Sequence, residues 1–589
     1  MKSTPLFALP ILSIFFSSNV FAQPDAPATP TDSAPLTSPD PAQKQGDPAI
    51  APQRNVIDTS SPAAPAITQE QLDAAVASAL SDPAKNPALA KDGHPLAGYH
   101  DGLFYLRDEN DNFRLYVQGR AQIDSYNYLG PGIGSSTTLV PTIFLRRIRP
   151  EVTGEILKHW QFMIAGDFGA TSLDNPKGSG TETIAAAPGA NPTAATAKYA
   201  SAQTAHIGAA PTDVYVNYRA HSIFNIQIGQ FDSPFMLENR TSDKYIPFME
   251  RSLAVRDVGN PNNKEIGAMA WGELENKLFF YSIGFFNGDG QNRLNTDARG
   301  DVMGRVFVHP LATLIKDEKN ELRNLQIGGS LHLGSRDSQD SNYDYNALTT
   351  QGNYTFWAPT YTGSKGTTHI IPAGAQTGLA GELRVPISMF DVTSEIVYIH
   401  NDTRESVEGY QSTNIERFGD MHGVSYYAQL GFWPIGNRDI NGMPGYENPP
   451  HLNFKKADPE RPHSENAKDE PKQALQLLVK WEQLLLTYQS ASRAGAVDPK
   501  NIDGDITVNA FSIGANYWAT KHIRLSANYV FDMFPDSAPV KATAAGAPVQ
   551  TSTQRALAPG NTLGTGVDDT ARNTANTLHE ILFRIAVAL

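Results

Sequence analysis

From residue 113 onward, apolar and polar side chains alternate. In FRLYVQGRAQID (113–124), Phe113, Leu115, Val117, Ala121 and Ile123 share one parity; Arg114, Tyr116, Gln118, Arg120, Gln122 and Asp124 share the other. A period of two marks a β-strand with one apolar and one polar face. The period returns in WQFMIAGDF (160–168), DVYVNYRA (213–220), FNIQIGQ (224–230), EIGAMAW (265–271), KLFFYSIGFF (277–286), DVMGRVFVH (301–309) and LQIGGSLHLG (325–334). It continues in GLAGELRV (378–385), DVTSEIVYIH (391–400), VSYYAQLGFW (424–433), ALQLLVKWEQ (474–483), ITVNAFSIGANYW (506–518), HIRLSANYVF (522–531) and HEILFRIAVAL (579–589). With IFLRRIRPEV (143–152) these make about sixteen strands. In a soluble sandwich the apolar face would be the core; in an outer-membrane barrel it meets lipid, and the polar face lines water.

The connections alternate in length. LKH (157–159), AHSI (220–223), ELEN (273–276) and TKH (520–522) are tight turns, whereas 170–211, 232–263, 334–376 and 532–577 are long. Short turns on one side and long loops on the other predict an all-β fold, a transmembrane antiparallel β-barrel of about sixteen strands. The connection 434–472 breaks the rhythm: parity makes it a short-side turn, yet it is long and Pro-rich, which leaves room for a missed hairpin. Aromatics near strand ends read as interfacial girdles: Tyr126, Tyr128, Phe144, Trp160, Phe168, Phe432, Trp433, Tyr517, Trp518, Tyr529 and Phe531. The alternative is the ordinary β-propensity of aromatic residues.

The N-terminus has a different character. Lys2, the apolar run LFALPILSIFF (6–16) and the small or apolar residues Val20, Phe21 and Ala22 predict a cleaved signal peptide over 1–22. Residues 23–95, rich in Pro, Ala, Ser, Thr and Asp, read as a flexible periplasmic segment. Within it ITQEQLDAAVASAL (67–80) predicts a short helix with Thr68 as N-cap and Gln71 three residues on. The barrel domain is expected over 96–589.

Composition narrows the function. A mean hydropathy of -0.35 excludes a helical membrane protein, and no cysteine is present for disulfides or thiolate metal sites. A formal net charge of -14 argues against nucleic acid as a partner. No nucleophile with a paired base is legible, so no enzyme is expected. His579-Glu580 begins like a zinc-protease motif, but Phe583 stands where a second His is needed. NGDGQN (287–292) and NIDGD (501–505) hint at calcium without the full ligand loop. No cofactor or metal is expected.

Against that acidic background, IFLRRIRPEV places three arginines within four positions. Arg147, Arg149 and Glu151 share the polar parity, which points them into the pore. Arg114, Arg120, Arg219, Arg305, Arg384, Arg524 and Arg584 follow the same parity. Arg146 shares the apolar parity with Phe144, Ile148 and Val152. A charge facing lipid costs about 2–4 kcal/mol at the midplane, so Arg146 either snorkels near the headgroups or is turned inward by a bulge. Guanidinium suits an anion path, being always charged and forked to match phosphate or carboxylate. The opposing reading is charge balance: Asp124, Glu151, Asp167, Asp213, Asp301 and Glu580 face the same lumen, and paired charges stiffen a wall without conducting anything. The sequence leaves both readings open.

Several of these stretches, in order, resemble the phosphate-selective porins O and P of Gram-negative outer membranes: FRLYVQGRAQ, FLRRIRPEVTGEI, WQFMIAGDF, DVYVNYRA, IGQFDSPFMLENRTSDKYIPFMERSL (228–253), YYAQLGF (426–432) and GANYWATKHIRLSANYVF (514–531). The resemblance runs from about Phe113 to Leu589. It implies a sixteen-stranded homotrimeric barrel among outer-membrane lipids, with a constricted pore for small anionic solutes. It further implies that 232–263 folds into the lumen as a constriction loop, carrying Glu238, Arg240, Lys244, Glu250, Arg251 and Arg256 among Phe235, Tyr245 and Phe248. The phosphate pattern is incomplete. Gln161 and Asn239 stand where the phosphate-specific members resemble one another in lysine, and 334–376, which the resemblance makes the loop feeding the outer mouth, offers only Arg336 and Lys365. The expected function is an outer-membrane porin for passive diffusion, preferring anions such as phosphate. The alternatives are a general or other-solute porin without phosphate selectivity, or a non-conducting adhesive or enzymatic barrel.

Overall fold

The computed structural model describes residues 68–81, 96–100, 103–130, 139–169, 180–183, 196–199, 209–259, 264–274, 277–317, 320–337, 343–362, 367–405, 417–440, 473–492, 504–534, 541–542, 548–549 and 577–588. The expected signal peptide and most of 23–95 lie outside these. The expected short helix is present as Gln69–Ser81.

Sixteen antiparallel strands form one wall: β1 Phe113–Leu129, β2 Thr142–Ile156, β3 Trp160–Asp167, β4 Ala210–His221, β5 Phe224–Asp232, β6 Lys264–Glu273, β7 Phe279–Phe286 and β8 Asp301–Val308. The second half is β9 Gln326–Arg336, β10 Thr367–Ile387, β11 Phe390–Glu405, β12 Arg417–Ile435, β13 Ala474–Ser492, β14 Gly504–Thr520, β15 Ile523–Met533 and β16 Thr577–Ala588. Each pairs with its neighbours in sequence. β16 closes the ring on β1, from His579 opposite Leu129 to Ala588 opposite Arg120. Among the described residues, closure leaves the sixteen-stranded wall without an open edge, the condition for a sheet to cross lipid. Below the end of β16, the same edge of β1 is taken by a hairpin of Ala97–His100 and Leu103–Arg107.

The barrel is apolar outside and polar inside. Ile123, Ile164, Ile228, Phe285, Leu379, Ile396, Val479 and Ile585 are exposed on the outer face, while Gln122, Asp124, Asn217, Gln227, Glu382 and Glu482 are buried within. The connection after β12 joins directly neighbouring strands, with Ile435 paired to Leu475. The barrel wall therefore has no missed hairpin there, and 441–472 lie outside the described residues.

Two expectations from parity change. Opposite Gln122 and Ile123 of β1 the register of β2 jumps from Arg147 to Leu145, leaving Arg146 as the extra residue of a bulge. Beyond it the faces exchange. Leu145 turns outward, and Phe144 turns inward to meet Tyr126 edge-on at 5.0 Å. The girdle reading also fails for part of its set. Trp160 and Phe168 are exposed on the outside, but Tyr126, Tyr128, Trp433 and Trp518 are buried inside, the two tryptophans stacked at 5.3 Å. Nearness to a strand end does not decide which side a ring faces; parity does.

Candidate functional site: the loop inside the barrel

The third long-side connection, L3 (233–263, described to 259), turns into the lumen. Phe235, Met236, Leu237, Ile246, Phe248 and Met249 are all almost completely buried against the inner wall and the rest of the loop. The fifth connection, L5 (337–366), reaches in beside it, with Leu348, Phe356 and Trp357 buried in the same apolar cluster as Leu253 and Val255. The loop expected to fold into the lumen does so, and L5 is a second inserted element that sequence reasoning did not foresee.

One side of the lumen is basic. Arg120 of β1 bonds Glu151 at 2.7 Å and pairs with Asp243 of L3. Arg149 bridges Asp167 at 2.6 Å and Asp243 at 2.8 Å. Arg147 reaches Gln122 (2.8 Å), Asp243 (2.9 Å) and Glu250 (3.3 Å). Arg146, swung inward by its bulge, holds both carboxylate oxygens of Glu250 at 2.9 and 3.0 Å. Arg584 forks onto Asp124 at 2.7 and 2.6 Å and adds a 2.9 Å bond to Glu250. Lys244 of L3 bonds Glu151 at 2.8 Å. Glu250, on the loop rather than on a spanning strand, would be pushed up by burial. Arg146, Arg147 and Arg584 instead hold its pKa well below the ordinary carboxylate range.

Among the described residues, seven cations (Arg120, Arg146, Arg147, Arg149, Lys244, Arg524, Arg584) meet here against five carboxylates (Asp124, Glu151, Asp167, Asp243, Glu250), with Asp213 beside Arg149 neutralised by Lys264. The excess is carried in part by Arg524, whose Nη1 donates to the carbonyl of Ile246 at 3.2 Å and whose guanidinium lies 5.7 Å from the Trp518 ring centre. Accessibility ranks the cluster. The Arg146 side chain is 29% exposed and that of Arg149 16%, against 5% for Arg147 and 0% for Arg584. The residue that parity left doubtful is therefore the one most open to a solute, whereas Arg147 is largely occupied in clamping L3.

The remaining predicted cations have other positions. Arg114 pairs with Asp111 beside the first strand's start, and the Arg219 backbone N–H bonds the carbonyl of His159 at a tight turn. Arg305 forks onto Glu382 at 2.8 Å for both bonds, away from the cluster. Arg240 donates to the carbonyl of Asp232, Arg251 to those of Glu238 and Thr241, and Arg256 to those of Arg251 and Thr349. Glu238 accepts from the N–H and hydroxyl of Ser252 at 2.9 and 2.6 Å. These four hold the shape of L3. Arg336, counted as an outer-mouth cation, is buried on Asp301, and Lys365 lies outside the described residues. In NGDGQN, Asp289 accepts from Thr296, so its carboxylate serves the turn itself.

Carboxylates on the wall from β11 round to β16 hold the inserted loops as well, and sequence reasoning missed most of them. Glu395 of β11 accepts the backbone N–H groups of Leu237 (2.6 Å) and Glu238 (3.0 Å). Glu482 of β13 accepts that of Leu253 at 2.6 Å and the Gln351 amide at 2.8 Å. Glu580 of β16 accepts that of Gly352 at 2.6 Å. Their inward parity was legible; that each would receive a loop's backbone was not.

Comparison with curated proteins gives no match. Among solved structures, the chain is similar to the outer-membrane-expressed OmpT of Vibrio cholerae, at 10% identity, 82% of this chain and 100% of that one, with a TM-score of 0.39. It is similar to the outer membrane channel DcaP of Acinetobacter baumannii at 9% identity, 84% and 100% coverage and a TM-score of 0.39. It is similar to an anion-selective porin from Comamonas acidovorans at 10%, 81% and 100%, with a TM-score of 0.37. Residues 117–357 match the family model described as phosphate-selective porin O and P, a stretch running from β1 through L3 to the inserted part of L5. Over that stretch, somewhat less than half of its length, the chain is similar to the phosphate-selective porin O and P family.

Proposed function

We propose that the protein is an outer-membrane porin for passive diffusion whose constriction prefers anions, assembled as a homotrimer. The observation that carries the preference is the cationic excess where L3 meets β1, β2, β15 and β16. Most of those arginines are engaged by carboxylates, so the wall is not a row of free charges. Such pairs hold L3 in place, and the surplus with the accessible edge of Arg146 sets the field that a passing ion meets. Fixed, partly occupied guanidinium groups attract an anion without binding it tightly enough to trap it. Phosphate selectivity itself has weaker support: Gln161 and Asn239 replace the lysines of the phosphate pattern, and Arg336 is taken up by Asp301.

The test is the purified protein in planar bilayers. The proposal expects discrete conductance steps and a zero-current potential, in a potassium chloride gradient, of the sign set by chloride. Titrating phosphate into the chloride bath then reports the solute: block of chloride current at low phosphate marks phosphate as preferred, and its absence marks a broader anion pore. A silent, non-conducting barrel would overturn the porin reading.

A further inference from the structure

The outer wall carries a side-chain group that neither the pore nor the lipid belt uses. On β11 the outward parity runs Ile396, Tyr398, His400, Asp402, with Ile396 and Tyr398 exposed and Val397 and Ile399 buried inside. On β12 the outward parity carries His422 and Asp420, while Met421 is buried inside. The register sets His400 directly opposite His422, and Asp402 directly opposite Asp420. Two imidazoles and two carboxylates thus form a square where the apolar stripe ends, toward the long-loop side.

The local geometry is ordered. The two imidazole rings stack 5.8 Å apart at 24°. Asp420 hydrogen-bonds the Nδ1 of His422. Asp402 is anchored by the backbone N–H of Ala375 at 2.9 Å, at a bulge of β10 where Gly374 has φ 84°, and lies 3.6 Å from His400 Nε2. Ligand atoms of His400, Asp420 and His422 lie within 4.8 Å of one another, and their side chains are a quarter to a half exposed. Like charges directly across a strand pair are unfavourable, so a cation bound beside Asp402 and Asp420 is stabilised, in addition to Arg404 on the same face of β11.

We propose that His400, Asp420 and His422 form a binding site for a borderline divalent ion of the Zn²⁺ type on the outer wall of the barrel. Two imidazoles and one carboxylate are a donor set for Zn²⁺, Ni²⁺ or Cu²⁺ rather than for Ca²⁺ or Mg²⁺, which favour all-oxygen sites. Metal–ligand bonds of about 2.0–2.2 Å draw the three side chains together by a further ångström or so, within the freedom of exposed rotamers. The fourth position stays open to water. A bound ion ties β11 to β12 beyond the apolar belt and offsets the opposed carboxylates. The inference rests on strand register and donor chemistry, and stands whether or not the pore prefers anions.

The experiment uses tag-free, full-length protein folded in detergent and stripped of metal. Zn²⁺ is titrated by calorimetry into the wild type, into His400→Gln/His422→Gln, and into Asp420→Asn. Because the chain holds 14 histidines, the readout is the difference between proteins. The expected result is one Zn²⁺ fewer per chain in the double variant, at least tenfold weaker binding in Asp420→Asn, and a Zn²⁺-dependent rise in Tm confined to the wild type. Excess Ca²⁺ is expected not to compete. Equal Zn²⁺ stoichiometry and affinity in the wild type and the double variant would overturn the site, as would a Zn²⁺-dependent rise in Tm that the double variant retains.

Discussion

The two sides of the lumen hold the same loop by opposite means. On the basic side, wall arginines grip the side chains of L3: Arg120, Arg147 and Arg149 take Asp243, and Arg146, Arg147 and Arg584 take Glu250. On the acidic side, wall carboxylates grip its backbone: Glu395 takes Leu237 and Glu238, and Glu482 takes Leu253. The difference has consequences. A loop inside a barrel must satisfy its backbone N–H groups without a sheet partner, because an orphaned buried donor costs about 1–3 kcal/mol. Carboxylates do that on one wall. The other wall is then left with guanidinium groups that can be part structural and part solute-facing. On the proposed function, the anion field is what this clamping arrangement leaves over.

The largest expected effect comes from breaking the basic clamp. Glu250→Gln leaves Arg146, Arg147 and Arg584 without their shared carboxylate, and losing one partner of a buried ion pair costs about 3–5 kcal/mol. Hydrogen exchange across 243–256 should accelerate strongly, and single-channel current should become noisy as L3 samples other positions. Unchanged exchange there would mean that apolar packing alone holds the loop.

Breaking the acidic clamp should cost less. In Glu395→Gln one of the two acceptors facing Leu237 and Glu238 becomes a donor, for a loss of about 1–3 kcal/mol. Exchange should rise at Leu237 and Glu238 while Asp243 and Glu250 keep their partners. Anion preference should not fall, since no cation of the basic cluster is touched. A smaller effect is expected from Arg524→Gln. It removes one surplus charge from the cluster, so the zero-current potential should move partway toward cation preference with conductance nearly intact.

How much of this was readable from sequence differs between the same two sides. All sixteen strands follow from period two, and so does the inward face of Arg120, Arg147 and Arg149. The resemblance placed L3 inside. Arg146 defeated parity because a bulge adds one residue to one strand, and nothing in FLRRIRPEV marks which residue is extra. Phe144 was misplaced for the same reason, since the faces exchange beyond the bulge. The acidic clamp was hidden for a different cause. Glu395, Glu482 and Glu580 read simply as inward polar residues, and their partners are backbone groups of distant loops, which no side-chain pattern records. L5 was expected at the outer mouth, and its insertion rests on Leu348, Phe356 and Trp357, three apolar residues in a stretch that otherwise looks like a surface loop.

The central claim is that the surplus charge of the basic wall, met by the solute at Arg146, sets the preference for anions. It is tested most directly by the zero-current potential of Arg146→Glu beside the wild type, in the same salt gradient across a planar bilayer. The account predicts a chloride-signed potential for the wild type and a shift toward, or past, zero for the variant. A cation-signed wild type, or a variant whose potential matches it, would contradict the account and leave the arginines as structural partners of the luminal carboxylates.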